Sequence, residues 1–131
     1  MDLNRCRWAY LLICYSLVSC AMNGPHDLIR LDQSFDTREV VLRRSQMLEL
    51  AFSENPTTGF RWELIETGAP VCALRHDSFD VASGGVGKGG TRRWLFEAVS
   101  VGVGTISLVY RRSWKDKAPA RTFTLSVRVE H

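Results

Sequence analysis

The sequence predicts an all-β protein, an antiparallel β-sandwich of about seven strands. In short segments apolar residues alternate with polar ones, and these segments recur at intervals of roughly ten residues with turn residues between them. After residue 20 no segment keeps apolar residues at the 3.6-residue spacing of an amphipathic helix, so we expect very little helix. A chain of 131 residues is enough for one domain.

The predicted strands are short. One of them, 71–81, is ambiguous because its apolar residues are widely spaced, and apolar residues also return at 28–31, ahead of the first predicted strand. In chain order, the predicted strands are 39–43, 47–53, 59–65, 71–81, 93–99, 105–110 and 121–129.

The first twenty residues are typical of a secretory signal. Arg5 and Arg7 precede an apolar run at 8–19, which is 12 residues long, whereas a membrane-spanning helix needs roughly 20. The run ends in Leu17-Val18-Ser19-Cys20. This ending resembles the bacterial lipobox, in which the cysteine is lipidated and becomes the first mature residue.

We therefore predict a lipoprotein signal peptide at 1–19, a lipidated Cys20 that begins a tether at 20–27, and a sandwich domain at 28–131. The expected location is the bacterial cell envelope, and Ala21 after the lipidated residue favours the outer membrane. The alternative is an ordinary secreted protein whose cleavage site falls near a cysteine.

Charge and cysteine content exclude several classes of protein. Without residues 1–19 the chain has 15 Lys or Arg and 13 Asp or Glu, too balanced for a nucleic-acid partner. Only Cys72 then remains besides the lipidated cysteine, so no intramolecular disulfide is expected, and a buried thiol is the expected role. The basic residues at 92–93 and 111–117 are interpreted as solvated edges, with steering toward an acidic partner as a secondary role.

The chain after residue 20 lacks the common catalytic and metal-binding signatures. The sequence has no G-x-S-x-G, no H-E-x-x-H and no cysteine pair for zinc after residue 20. We expect no enzyme activity, no cofactor and no metal. We also expect a monomer.

The first of three unusual loops is N-P-T-T-G-F. Proline fixes its own φ and restricts the preceding residue, threonine is stiff at χ1, and glycine allows a positive φ. Taken alone, such a segment is more typical of a well-built turn. Its residues are Asn55, Pro56, Thr57, Thr58, Gly59 and Phe60.

The second loop is G-G-V-G-K-G-G at 84–90, with five glycines in seven residues. A phosphate-binding loop is excluded, because that pattern needs Gly six residues before the lysine and Ser or Thr after it, whereas Ala82 and Gly89 stand there. The glycines suit close approach of another chain, or simply a flexible hairpin connection.

The third loop begins with R-R-S-W at 111–114, directly after a predicted strand. A tryptophan among charged residues suits a binding surface, because tryptophan is enriched at interface hot spots. The alternative is that this tryptophan covers the end of the sandwich core.

In this order and on this strand pattern, the three loops resemble the chagasin family of cysteine-peptidase inhibitors. The first family motif, N-P-T-T-G-[FY], is matched at every position of 55–60. The second, G-x-G-G, is matched by Gly87, Lys88, Gly89 and Gly90. The third, R-P-W, is matched by Arg112 and Trp114, but Ser113 replaces proline. Serine is expected to make this loop looser.

The resemblance implies an immunoglobulin-like β-sandwich with the three loops at one end, and papain-like cysteine peptidases as partners. The first loop would enter the catalytic cleft, and the other two would bind its sides. The competing hypothesis is a lipid-anchored adhesion or envelope-assembly module without a peptidase target, which does not account for three motifs occurring together.

Overall fold

A computed structural model describes residues 27–85, 87–112 and 118–131, and it consists of two packed four-stranded sheets. Short 3-10 turns follow β1 at Gln33–Phe35 and β3 at Pro56–Thr58. The strands are β1 Leu28–Leu31, β2 Arg38–Arg43, β3 Met47–Glu54, β4 Phe60–Thr67, β5 Cys72–Val81, β6 Gly90–Ala98, β7 Gly102–Arg112 and β8 Arg121–Glu130.

The strand order is β1-β3-β6-β5 in one sheet and β2-β8-β7-β4 in the other. All hairpin-connected neighbours are antiparallel, as predicted, whereas the edge strands β1 and β2 pair in parallel with β3 and β8. Parallel pairing arises because the chain crosses between sheets after β1, through a turn that Asp32 caps by accepting a hydrogen bond from Ser34 N at 2.8 Å. The sandwich is confirmed, with β1 as an additional strand.

The core lies between the sheets and is built by the alternation seen in the sequence. Leu48, Leu50 and Phe52 of β3 are fully buried, while the residues between them are partly exposed. The Phe52 ring makes edge contacts with Trp62 and Phe123, at centroid distances of 4.9 and 4.7 Å. All buried apolar residues of the described chain fall within 31–129, so a chain beginning at residue 21 keeps the complete core.

The ambiguous segment 71–81 forms β5, an edge strand. Its register shifts between Leu74 and His76, and among the described residues no strand pairs with its outer flank. Both features break the apolar alternation, which explains the weak sequence pattern.

Strand directions place the three unusual loops together. The segments 55–59 and 82–89, and the connection from β7 to β8, leave the sandwich at one end, here called the loop end. The turns at 44–46 and 99–101 lie at the opposite end, here called the far end.

In the described part of the chain, no helix is long and apolar enough to cross a membrane. The predicted signal peptide, Cys20 and most of the tether fall outside the described residues.

Candidate functional site

The first loop is held rigid by its own hydrogen bonds. The Asn55 side chain caps the 3-10 turn, because its Oδ1 accepts from Thr57 N at 3.2 Å and from Thr57 Oγ1 at 2.6 Å. Thr58 Oγ1 donates to the Asn55 carbonyl at 2.7 Å. Gly59 closes the turn at φ +82°, donating its N–H to Pro56 O at 2.9 Å. Thr57 and Thr58 are exposed, so the loop presents two small side chains on a fixed backbone.

A buried carboxylate ties together the two strands beneath this loop. Glu54 is only 4% exposed, and its Oε2 accepts a hydrogen bond from Trp62 N at 2.7 Å. Trp62 Nε1 in turn donates to Ser53 O at 3.2 Å. Sequence reasoning missed Glu54. The signal was present, because Glu54 continues the inward series that runs through Phe52, and a charge at an inward position needs a specific partner.

The second loop lies directly against the first. Asn55 Nδ2 donates to Gly87 O at 3.1 Å. A Cβ placed on Gly89, whose φ is +70°, would lie 2.7 Å from Glu54 O. Glycine is therefore required at this position for the close approach of the two backbones. The glycine-rich segment does accommodate another backbone, and within the free protein that backbone is the first loop.

Aromatic contacts join the first loop to the strand that leads into the third. Phe60 stacks on Tyr110 with a centroid distance of 5.4 Å, and Tyr110 lies 5.0 Å from Trp62. The Arg112 guanidinium lies 4.7 Å from the Phe60 ring centroid. The order of these residues in the sequence thus reflects one continuous cluster on adjacent strands.

The structure brings most of the predicted site residues to the loop end. All of 55–60, all of 87–90 and Arg112 lie there. Trp114 and Ser113 fall outside the described residues. Residues that sequence reasoning did not assign to the site are Glu54, which supports the first loop, and Tyr110, which lies between the rings of Phe60 and Trp62 on the strand that leads into the third.

Cys72 lies far from this site and behaves as a structural residue. It is 3% exposed and begins β5, near the far end. Burial raises the pKa of its thiol from 9.0 to about 11, so the reactive thiolate is scarce at neutral pH. In the described ranges, no group of three or more His, Cys, Asp or Glu is arranged to hold a metal ion.

Comparison with known proteins assigns the chain to a family. The family model "Chagasin family peptidase inhibitor I42" matches residues 41–127, a range that includes all three loops. Among curated proteins, Amoebiasin-1 of Entamoeba histolytica is 32% identical over 91 residues, covering 70% of this chain and 89% of that protein. Amoebiasin-2 of the same organism is 33% identical over 87 residues, covering 63% of this chain and 70% of that protein.

Solved structures agree with this assignment. The crystal structure of the cysteine protease inhibitor EhICP2 from Entamoeba histolytica has a TM-score of 0.73 at 28% identity, covering 82% of this chain and all of that one. PbICP-C, solved in complex with falcipain-2, has a TM-score of 0.50 at 15% identity over 79% of this chain and 90% of that one, which supports the fold alone. The immunoglobulin-like sandwich is thereby confirmed, and the chain belongs to the chagasin family of peptidase inhibitors and is not an enzyme.

Proposed function

We propose that the protein inhibits papain-like cysteine peptidases reversibly, by occluding the active-site cleft with its three loops. The observation that carries this proposal is the pair of exposed threonines, Thr57 and Thr58, on a loop that is braced by Asn55. A braced loop loses little conformational entropy on binding, so more of the contact energy appears as affinity.

The same rigidity explains how the first loop can occupy a peptidase cleft without being cleaved. Cleavage requires a carbonyl in attack geometry, and small errors of position cost much of the rate. Capping hydrogen bonds at Thr57 and Thr58 hold the backbone in a 3-10 turn, whereas a substrate binds extended. The threonine side chains are small enough to lie over the catalytic cysteine and histidine.

The second and third loops bind the walls of the cleft in this proposal. Lys88 is exposed at the tip of the second loop, and the glycines around it offer backbone groups for strand-like pairing with a cleft wall. On the other wall, the proposed aromatic anchor is Trp114, which follows Arg112 by two residues in the sequence. Trp114→Ala is expected to weaken binding by about 2 kcal/mol, or about thirtyfold.

We propose further that Cys20 is lipidated and that the tether at 20–27 holds the domain at a bacterial membrane, with the outer membrane favoured. The lipobox-like ending of the apolar run supports this proposal. The partners are then the peptidase and the bilayer, and the inhibitor acts as a monomer. No structural observation favours the adhesion module over the inhibitor.

The decisive experiment is titration of papain activity with residues 21–131, beside a Thr57→Ala/Thr58→Ala/Trp114→Ala variant. We expect tight, reversible inhibition by the parent and little by the variant. A Thr124→Ala variant, which changes an exposed threonine of β8 outside the loop end, is the control and should inhibit like the parent. A folded parent that inhibits neither papain nor several of its relatives would refute the proposal.

A further inference from the structure

We propose that the loop end is a cationic surface that selects peptidases with acidic residues around the cleft, and that it does so by accelerating association. This inference rests on the proposed inhibitory function and names the kind of partner that the same site prefers.

Charge is distributed unevenly between the loop end and the rest of the domain. The described residues of the three loops, with two flanking residues on each side, are 53–61, 80–85, 87–91, 111–112 and 118–122, and they contain five Lys or Arg and two Asp or Glu. The other described residues contain eight Lys or Arg and ten Asp or Glu. The described part of the loop end is therefore net positive by three charges, while the rest of the described domain is net negative by two.

The acidic residues of the loop end do little to offset this charge. Glu54 is buried and accepts a hydrogen bond from Trp62 N. Asp80 is paired with Arg93 at 2.7 Å. Among the loop-end cations, Arg111 is paired with Glu63 at 2.9 Å, so the excess positive charge of the described loop end comes from Arg61, Lys88, Arg112 and Arg121.

Two loop-end cations lie over aromatic rings instead of pairing with carboxylates. The Arg112 guanidinium lies 4.7 Å from the Phe60 ring centroid, and that of Arg121 lies 5.9 Å from the Trp62 ring. Neither has an ion pair within the described residues. An aromatic face fixes the position of a guanidinium without cancelling its charge, so these cations remain available to a partner.

The outer face of the β1-β3-β6-β5 sheet shows the contrasting arrangement. There Glu49 lies 3.4 Å from Arg30 and 3.0 Å from Arg93, and Arg93 also contacts Asp80. Arg75 is paired with Glu97 at 2.8 Å. The cations Arg30, Arg75 and Arg93 of this face are locally neutralised by carboxylates, unlike Arg112 and Arg121 of the loop end.

A cationic surface around a binding site acts mainly on the association rate. It attracts an oppositely charged cleft during diffusional encounter, and salt screens this attraction. The loops that fill the cleft determine dissociation. The expected signature is an association rate constant that falls with ionic strength while the dissociation rate constant stays constant.

The test is stopped-flow association of residues 21–131 with two papain-like peptidases of known structure, one with an acidic cleft rim and one with a basic rim. With the acidic rim, we expect the association rate constant to fall about tenfold between 20 and 300 mM NaCl. Arg61→Glu/Arg121→Glu, which reverses two exposed cations beside the loops, should lower it about tenfold at low salt. With the basic rim, the salt dependence should be reversed.

The matched control is Arg43→Glu/Arg44→Glu, which makes the same change in net charge at exposed positions of the far end. We expect its association rate constant to stay within about twofold of the parent, since these residues lie more than a Debye length from the cleft. Equal slowing by both variants would overturn the inference, as would slowing that appears only in dissociation.

If the protein does not inhibit these peptidases at all, no complex forms at either salt concentration. If only the inference about charge is wrong, inhibition stays tight and the association rate constant does not depend on salt. The surface could instead bind lipid. In that case the parent would bind phosphatidylglycerol vesicles, Arg61→Glu/Arg121→Glu would abolish this binding, and inhibition would be independent of salt. This outcome would also overturn the inference.

Discussion

Asn55 and Gly87, 32 residues apart in the sequence, are joined by a hydrogen bond of 3.1 Å from the asparagine Nδ2 to the glycine carbonyl. The Oδ1 atom of the same side chain organises the turn that carries Thr57. One side chain therefore fixes both the shape of the first loop and its position on the second. The two loops meet a partner as one preformed surface.

The dual role of Asn55 can be separated by Asn55→Asp. Aspartate keeps an acceptor for Thr57 but cannot donate to the Gly87 carbonyl. We expect the inhibition constant to rise about tenfold, which corresponds to about 1.4 kcal/mol. The increase should come from faster dissociation of the complex. Papain titration at 300 mM NaCl screens the added charge. An unchanged inhibition constant would show that contact between the loops does not contribute to binding.

Close packing of the two loops predicts different outcomes at two glycines. Gly89→Ala and Gly85→Ala both place a side chain at positive φ, at a cost of about 1–2 kcal/mol. A Cβ at Gly89 also meets Glu54 O at 2.7 Å, whereas a Cβ at Gly85 has nothing within 4 Å. Urea denaturation should show the larger loss of unfolding free energy for Gly89→Ala, which should also inhibit less. Equal losses would contradict the close approach.

The buried carboxylate of Glu54 predicts a graded pair of variants. Glu54→Ala leaves the Trp62 N–H buried without an acceptor and should lower the free energy of unfolding by about 1–3 kcal/mol. Glu54→Gln keeps a side-chain carbonyl for that N–H and should cost less. Both values can be measured by urea denaturation followed by tryptophan fluorescence. If the two variants are equally stable, the hydrogen bond from Trp62 N does not account for the contribution of Glu54 to stability.

Cys72 is expected to resist alkylation in the folded protein. Burial raises the pKa of its thiol from 9.0 to about 11, which lowers the thiolate fraction about a hundredfold below pH 9. Because the folded-state pKa is the higher one, this thiol contributes stability that is fully present below about pH 9 and lost as the pH rises through 11. Iodoacetamide labelling of residues 21–131, in which Cys72 is the only cysteine, should be slow in buffer and fast in urea. Equal rates would mean that the thiol is accessible.

Much of this architecture was predictable because it is local. Alternation along β3 and β8 reports which side chains face the core, and the composition of 55–60 reports a stiff turn. Contacts between segments were not predictable in this way. Nothing in the sequence near Asn55 identifies Gly87 as its partner, and nothing near Leu28–Leu31 indicates parallel pairing with β3.

Strand β5 shows why apolar alternation in the sequence does not predict every strand. A register shift at 74–76 changes which side chains face inward partway along the strand, so no single alternation describes it. Glu54 shows a different limit. Its inward position was visible in the pattern, but its partner is a backbone N–H on the next strand, and only the folded structure supplies that information.

Both ends of the folded domain lie opposite the three loops. Leu28 pairs with Met47, and Glu130 pairs with Arg43, all at the far end. The ten residues of β8 span about 33 Å between the two ends. A domain attached through either terminus would therefore have the three loops, its proposed peptidase-binding surface, at the end away from the point of attachment. Immobilisation on a sensor chip through residue 21 or residue 131 should leave inhibition intact, and a bilayer that holds Cys20 would shield the far end and leave the cleft-binding surface open.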